Sequence, residues 1–391
     1  MKELNSKQLF VGSLWMLALI GIVMRYSILG SIVDMKHGNA GSYLLGEEFV
    51  NVLIAFAGFW FFSRLSAKTL STWGRPLILI TLVVLGVVIS GFSLVHTNGI
   101  AGRWIRLPVI GSIQPAELAK VALVIFMADF LTRHRAELKN WKRGFLPAVC
   151  VLSLMFLLIV KQPDFGTSVL LFAAGMWMMV VAGMKLKHFA VVLLAVVPSA
   201  VYIVLESPYR LKRILAFLNP GSDLKGGNYQ QHQAKLAIAH GGESFPFGQG
   251  LMNGLGRHGY VPEASTDFIA AIYVEEFGFI GLAFMLLLYG VMIKQIMVFS
   301  ITDKSHFNRC LLTGIGGILG LQIMINLFVI TGLMPNKGMP LPLISSGGTS
   351  LLATACLLGL AWRVMKECPD EEVTEELEVA LVTGQKNWNG L

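Results

Sequence analysis

The sequence predicts an all-α, polytopic membrane protein of about ten transmembrane helices, with a large extracytoplasmic loop between helices seven and eight. Three observations carry that reading. Of the 391 residues, 55% are hydrophobic and only 14% charged, against about 25% charged in an ordinary soluble domain. The apolar residues come in long blocks rather than as one face of amphipathic elements, and mean hydropathy is +0.67. That pattern suits a lipid solvent and would leave a soluble protein covered in apolar patches. The Lys and Arg behind the net charge of +8 lie mostly between the blocks. There they orient a chain in the bilayer, and they do not form the basic surface a nucleic-acid binder needs.

A spanning helix needs about 20 mostly apolar residues. The blocks that qualify are 9–30, 49–62, 76–95, 115–132, 144–160, 165–183, 188–205, 268–299, 310–333 and 349–365. The first has no small-residue cleavage site and reads as an anchor rather than a removed signal. The second is short and starts against the Glu47–Glu48 pair, with Pro76 opening the third. The eighth is long enough to tilt or protrude. The four cysteines, Cys150, Cys310, Cys356 and Cys368, are scattered, without metal-ligand spacing or a disulfide framework.

Alternate connections carry Arg64, Lys68 and Arg75; then Arg133, Arg135, Lys139, Lys142 and Arg143; then Lys185 and Lys187; then Lys304 and Arg309. The positive-inside rule places these in the cytoplasm, and both termini with them. The connection 206–267 then lies outside. At roughly 60 residues it is far longer than an ordinary connection, and its Tyr, Phe, Gly and Pro content argues for order. Residues 1–367 thus form one transmembrane domain, and 368–391 an acidic cytoplasmic tail.

Ionisable groups within spans cost roughly 2.5–3.5 kcal/mol each on insertion scales, so those present are candidates for function. Glu117 and Lys120, three apart in IQPAELAKVALVIF, share a helix face; they read either as a structural pair anchoring the helix end or as part of a site. Lys161 and Asp164 lie in the tight turn KQPDFGTS, which reads as an interfacial hairpin or as something more polar than a turn requires. Glu275 and Glu276 enter the eighth block about 100° apart, so one of the two is expected to face a cavity. Arg210 and Arg213 open the long connection three residues apart and suit phosphate, or headgroups in general. Asp267 closes it, as the last polar residue before an apolar run. A carboxylate there is either a helix cap or, partly desolvated, a base with a raised pKa. The last outer connection, GLMPNKGMPLPLISSGGTSLL, holds Lys337 and Ser345. It is dense in Pro and Gly, and such backbone at membrane depth must be buried in protein or line a cavity.

In order along the chain, GRWIRL before IQPAELAK, then KQPDFGTS, YRLKRILAFLNP with GGNYQQHQAKLAIAHGG, GYVPEASTDFIAAIYVEEFGFIG, and PLPLISSGGTSLL closely resemble the motifs of the shape, elongation, division and sporulation (SEDS) family, with its FtsW, RodA and SpoVE branches. GQGLMNGLGRHGYVPEA and LMPNKGMPLPLIS are nearest the FtsW cell-division pattern. The chain departs from the family at Ser265 (usually His), Ala270 (usually Phe), Ser346 (usually aromatic) and Glu47–Glu48 (usually a basic residue and Gln).

The resemblance implies a peptidoglycan glycosyltransferase of the bacterial cytoplasmic (inner) membrane. It would polymerise lipid II by a single inverting displacement of undecaprenyl pyrophosphate, for cell division or elongation. Asp267 is then expected to be the catalytic base. Arg210, Arg213, Glu117, Lys120, Lys161, Asp164, Glu263, Glu276, Lys337 and Ser345 are expected to surround the substrate. A divalent cation, Mg2+ or Mn2+, is compatible with this chemistry, and no organic cofactor is implied. The expected partners are lipid II, a class B penicillin-binding protein, other divisome or elongasome proteins and the membrane, with no nucleic acid. Two other functions fit the same charges: a lipid II flippase, and a scaffold for the penicillin-binding protein.

Overall fold

The computed structural model describes residues 5–37, 44–90, 95–96, 102–107, 111–219 and 228–368. The acidic tail therefore lies outside the described residues, apart from Cys368. A helix coincides with every one of the predicted apolar blocks. They are α1 (Ser6–His37), α2 (Phe49–Phe62), α3 (Ala67–Ile89), α4 (Pro115–Arg133), α5 (Leu146–Lys161), α6 (Phe165–Val181) and α7 (Leu186–Leu205). After the long connection come α10 (Ile269–Thr302), α11 (His306–Thr331) and α12 (Gly348–Glu367). The long connection itself holds α8 (Pro208–Leu218) and α9 (Tyr229–Gly242), with residues 220–227 between them outside the described residues.

Among the described residues six helices are long and apolar enough to cross a membrane: the Ser6–Ile28 part of α1, α3, Trp141–Lys161 with α5, α10, α11 and α12; α6 is apolar but shorter. The protein is thus a multi-pass membrane protein. Of the other three blocks read as spans, α7 is not among the six, and two differ by length or composition. Helix α2 has 14 residues, and α4 carries Glu117, Lys120, Asp129 and Arg133.

Local chemistry moves one helix start and adds two features that hydropathy does not report. Helix α3 starts at Ala67 rather than at Pro76, because Ser66 caps it by accepting from Thr69 N; Pro76 lies inside. The connection after α3 is not wholly irregular. Strands β1 (Val95–His96), β2 (Trp104–Leu107) and β3 (Gly111–Ile113) form an antiparallel sheet with Val95 opposite Ile105 and Ile105 opposite Ile113. The alternation in WIRL favours a strand. Helix α10 is broken at Gly278, whose φ of 61° and ψ of −156° belong to a region essentially reserved for glycine.

The break frees backbone groups that lipid cannot satisfy. The long connection supplies the partners: Gln249 N donates to Glu275 O, Gly250 N to Glu276 O, and Ile280 N to Pro246 O.

Helix α4 is the centre of the bundle, buried along almost its whole length against α3, α6, α11 and α12. Helix α1 packs on α10, and α2 on α12; α9 lies over α10 and α11. Hydrogen bonds from Gln114 to Asp164 and Thr349, and from Ser345 and Ser346 to the turn at 265–266, bring the N-termini of α4, α6, α10 and α12 together.

Candidate active site

Where these N-termini meet, buried amides hold the chain together. Gln114, just before α4, donates its side-chain amide to Asp164 Oδ2 at 3.0 Å and its backbone N–H to Thr349 Oγ1 at 3.2 Å. The starts of α4, α6 and α12 are thereby joined. Asp164 Oδ1 caps α6 by accepting from Thr167 N at 3.1 Å. Arg103 braces the same turn by donating to the carbonyls of Gln162 and Pro163, at 2.8 and 2.5 Å. On α11, Gln322 donates to Pro340 O and Asn326 to both Met339 O and Asp267 O. These two amides fix the irregular connection between α11 and α12. Sequence reading passed over Gln114, Gln322 and Asn326; the signal for the last two was an amide inside an apolar run, where an unpaired one is expensive.

Against this frame sit the predicted charges. Glu117 and Lys120 are both buried and form an ion pair at 2.7 Å, and Lys120 Nζ also donates to Gln322 Oε1 at 2.8 Å. Lys337 runs along the α6 start: a methyl built on Gly166 would fall within 1.1 Å of its Nζ. Only a glycine leaves that path open. The Lys337 ammonium is out of solvent and makes no hydrogen bond. Burial pulls its pKa down to about 8, partly offset by the nearby carboxylate of Asp164. Asp267 is half-buried, with Oδ2 packed against the Gly338 α-carbon. Desolvation, reinforced by Glu263 and opposed by Lys337, pushes its pKa up to about 7. Asp267, Lys337, Asp164 and Glu117 thus share one electrostatic environment.

Ser345 supports Asp267 from behind, donating to Thr266 O at 2.5 Å while accepting from Leu341 N at 2.7 Å. Glu263 is exposed and shapes the turn before Asp267 by accepting from Thr266 Oγ1 at 2.9 Å. Arg213 donates to Asn336 O at 3.0 Å, which brings the opening of the long connection beside Lys337. The Arg210 side chain lies outside the described residues.

Two predicted residues are not brought to this cluster. Lys161 is exposed. Glu276 is buried at the α1–α10 contact, where Oε1 accepts from Ser27 Oγ at 2.9 Å. The expectation that one of the adjacent glutamates faces away is also corrected. Glu275 is buried too, accepting from His240 Nδ1 at 2.8 Å and from the N–H groups of Leu255 and Gly256. A loop folded over α10 gives both carboxylates a protein environment.

Among the described residues no three His, Cys, Asp or Glu side chains come together as a metal cage. In the Asp267 cluster it is lysine ammonium groups that lie among the carboxylates, so these residues do not fit a protein-held divalent ion.

Residues 7–369 match the FtsW/RodA/SpoVE family, described as cell cycle proteins. A Trichlorobacter lovleyi protein named "Probable peptidoglycan glycosyltransferase FtsW" is 36% identical over 340 residues, covering 87% of this chain and 88% of its own. The stage V sporulation protein E of Bacillus subtilis is 34% identical over 352 residues, covering 90% and 94%. Among solved structures, a chain from work on the structural coordination of polymerization and crosslinking by a peptidoglycan synthase complex superposes with a TM-score of 0.70 at 28% identity, covering 90% of this chain and 97% of that one. The Thermus thermophilus rod shape determining protein RodA gives 0.64 at 24% identity, covering 90% and 96%, and shows the shared fold.

Proposed function

Because this chain belongs to the FtsW/RodA/SpoVE family, we propose that it is a peptidoglycan glycosyltransferase that polymerises lipid II, with Asp267 as its base. The observation that carries the mechanism is the pairing, in one cluster, of a half-buried carboxylate with a buried ammonium that has no hydrogen-bond partner of its own. An acceptor sugar hydroxyl is a poor nucleophile until its proton is removed, and a base poised near neutral pH removes it best. The donor already carries a good leaving group, so what remains is to place the two sugars and to stabilise the departing pyrophosphate.

Lys337 suits that second task. Lys120 and Arg213 lie near it, Arg210 is the further cation of this reading, and the convergent N-termini of α4, α6 and α12 add positive potential. An α-linked donor giving a β-linked glycan needs one inversion and no enzyme nucleophile, so a single carboxylate suffices. No metal enters any of these steps.

In this reading all ten apolar helices cross the bacterial cytoplasmic membrane, with both termini in the cytoplasm and the connection 206–267 outside. Residues 1–367 make up the transmembrane domain. The polyprenyl tail stays in the bilayer while its headgroup reacts at the outer face. The likeness to a chain of a peptidoglycan synthase complex supports a class B penicillin-binding protein as partner, and the relatives named FtsW support work alongside divisome proteins.

The test is fluorescent lipid II given to the purified protein in detergent, where translocation has no meaning. The arms are with and without a cognate transpeptidase, and with Mg2+, Mn2+ or chelator. Polymer from the wild type and none from Asp267→Asn is the expected result. Polymer from Asp267→Asn sinks the base assignment, and polymer from neither leaves the flippase or scaffold reading in its place.

A further inference from the structure

The turn that carries Asp267 is held by residues far from it in the chain. Within it, Thr266 N and Phe268 N both donate to Glu263 O. Two consecutive serines then dock on it from the α11–α12 connection. Ser345 Oγ donates to Thr266 O, and Ser346 N donates to Ser265 O at 2.8 Å. Ser345 is itself tied to Leu341. Ser346 reaches the other way: its hydroxyl donates to Glu48 Oε1 at 2.5 Å, at the start of α2. Glu48 Oε2 accepts from Arg25 Nη1 at 3.3 Å, and Arg25 Nε donates to Gly21 O at 3.0 Å within α1.

The side chains of Arg25 and Glu48 are only 5% and 16% exposed. A guanidinium inside an apolar helix is expensive unless paired, so it holds its carboxylate in one place. The second oxygen of that carboxylate is thereby aimed at Ser346. Both Glu48 and Ser346 are positions at which the sequence leaves the family pattern, and the structure joins them by a hydrogen bond.

We propose that Glu48, fixed by Arg25, is a positioning residue: through the Ser346 hydroxyl it sets the backbone at 265–266, and so how far the Asp267 carboxylate reaches toward the acceptor hydroxyl. The proposal rests on the reading of Asp267 as the base. It assigns to α1 and α2, which contribute no group to the chemistry, control over the geometry of the base. Such control acts on the chemical step rather than on substrate affinity, because small misplacements of a catalytic group cost rate.

The experiment uses the full-length protein, with steady-state polymerisation of fluorescent lipid II and amide hydrogen exchange on the segment 263–268. Ser346→Ala is expected to lower kcat about tenfold, to leave KM within about twofold, and to speed exchange in that segment. Ser346→Thr, which restores the hydroxyl, is expected to recover both readouts. Glu48→Gln keeps the oxygen that faces Ser346 but breaks the pair with Arg25. It is expected to fall between wild type and Ser346→Ala in kcat and in exchange, and it provides the same test without altering the turn's neighbours.

Asp267→Asn is the control: no turnover with unchanged exchange. If that variant turns over, the base reading fails, while the exchange data still report whether the clamp exists. The proposal is overturned if Ser346→Ala turns over at the wild-type rate, if Ser346→Ala and Ser346→Thr are equally slow, or if the loss lies in KM alone.

Discussion

The pH dependence of kcat/KM tests the charge pairing at the heart of the site. Two groups with opposite requirements sit in one environment. In the proposed mechanism Asp267 must be deprotonated to accept a proton, and burial pushes its pKa up to about 7; Lys337 must be protonated to meet the pyrophosphate, and burial pulls its pKa down to about 8. In the free enzyme the correctly ionised fraction is therefore about 60% near pH 7.5 and about 9% at pH 6 and again at pH 9. The expected profile is a narrow bell, down about sixfold at either side.

Lys337→Met sharpens the test. It removes the alkaline limb, and because the ammonium holds the carboxylate down, the acidic limb moves to higher pH. The stability sign runs the other way. A carboxylate whose folded pKa lies above its unfolded value of 3.8 contributes stability that is full below pH 3.8 and is lost as pH rises through about 7. The melting temperature of the wild type should therefore fall over that window relative to Asp267→Asn, which lacks the ionisation. The assay is initial-rate polymerisation at subsaturating lipid II in constant-ionic-strength buffers. A profile flat from pH 6 to 9, or an acidic limb that moves down in Lys337→Met, refutes the argument.

Other consequences are open to the same assays. Gly166→Ala places a methyl where the Lys337 ammonium lies. The end of a flexible side chain can move aside, so activity should fall at least about tenfold while the melting temperature barely changes; a wild-type rate would remove Lys337 from the mechanism. Glu117→Gln strands a buried ammonium and should cost about 3–5 kcal/mol in denaturation measurements. Adding Lys120→Met should recover much of that, and equal losses in the single and double variants would count against a tight pair. Gly278→Ala forces a side chain into a glycine-only conformation and within 2.4 Å of the Gly248 nitrogen and Pro246 oxygen. A loss of at least about 1–3 kcal/mol is expected; an unchanged unfolding midpoint would mean that the break is not obligatory.

The charges that form the cluster were legible because membrane chemistry makes them conspicuous. Glu117, Lys120, Asp164 and Asp267 stand out in an apolar sequence, and the spacing of the first two announced their ion pair. Lys337 was legible as a charge but not as the partner of Asp267, since nothing local shows that it crosses the face left bare by Gly166. Lys161 and Asp164 are neighbours in one turn, yet Asp164 caps α6 and Lys161 points to the surface; sequence distance does not separate those fates. The Gly278 break was illegible for a different reason. Hydropathy sums side chains, and the segment stays apolar on average through Gly278 despite Glu275 and Glu276, whereas the break is a property of the backbone and of a separate stretch of chain that completes it. The link from Glu48 to Ser346 spans nearly the whole chain, and appeared in the sequence only as two unrelated departures from a pattern.

The broken helix also bears on how the molecule is built. The segment 269–277 carries Glu275 and Glu276, whose freed carbonyls accept from Gln249 N and Gly250 N. Lipid offers those groups nothing, so this piece of α10 depends on the preceding connection being folded back onto it. Residues beyond the glycine can enter the bilayer as an ordinary apolar helix. Asp267, the proposed base, lies just ahead of the segment 269–277, so its mounting depends on backbone contacts that residues 249–250 complete from outside the helix.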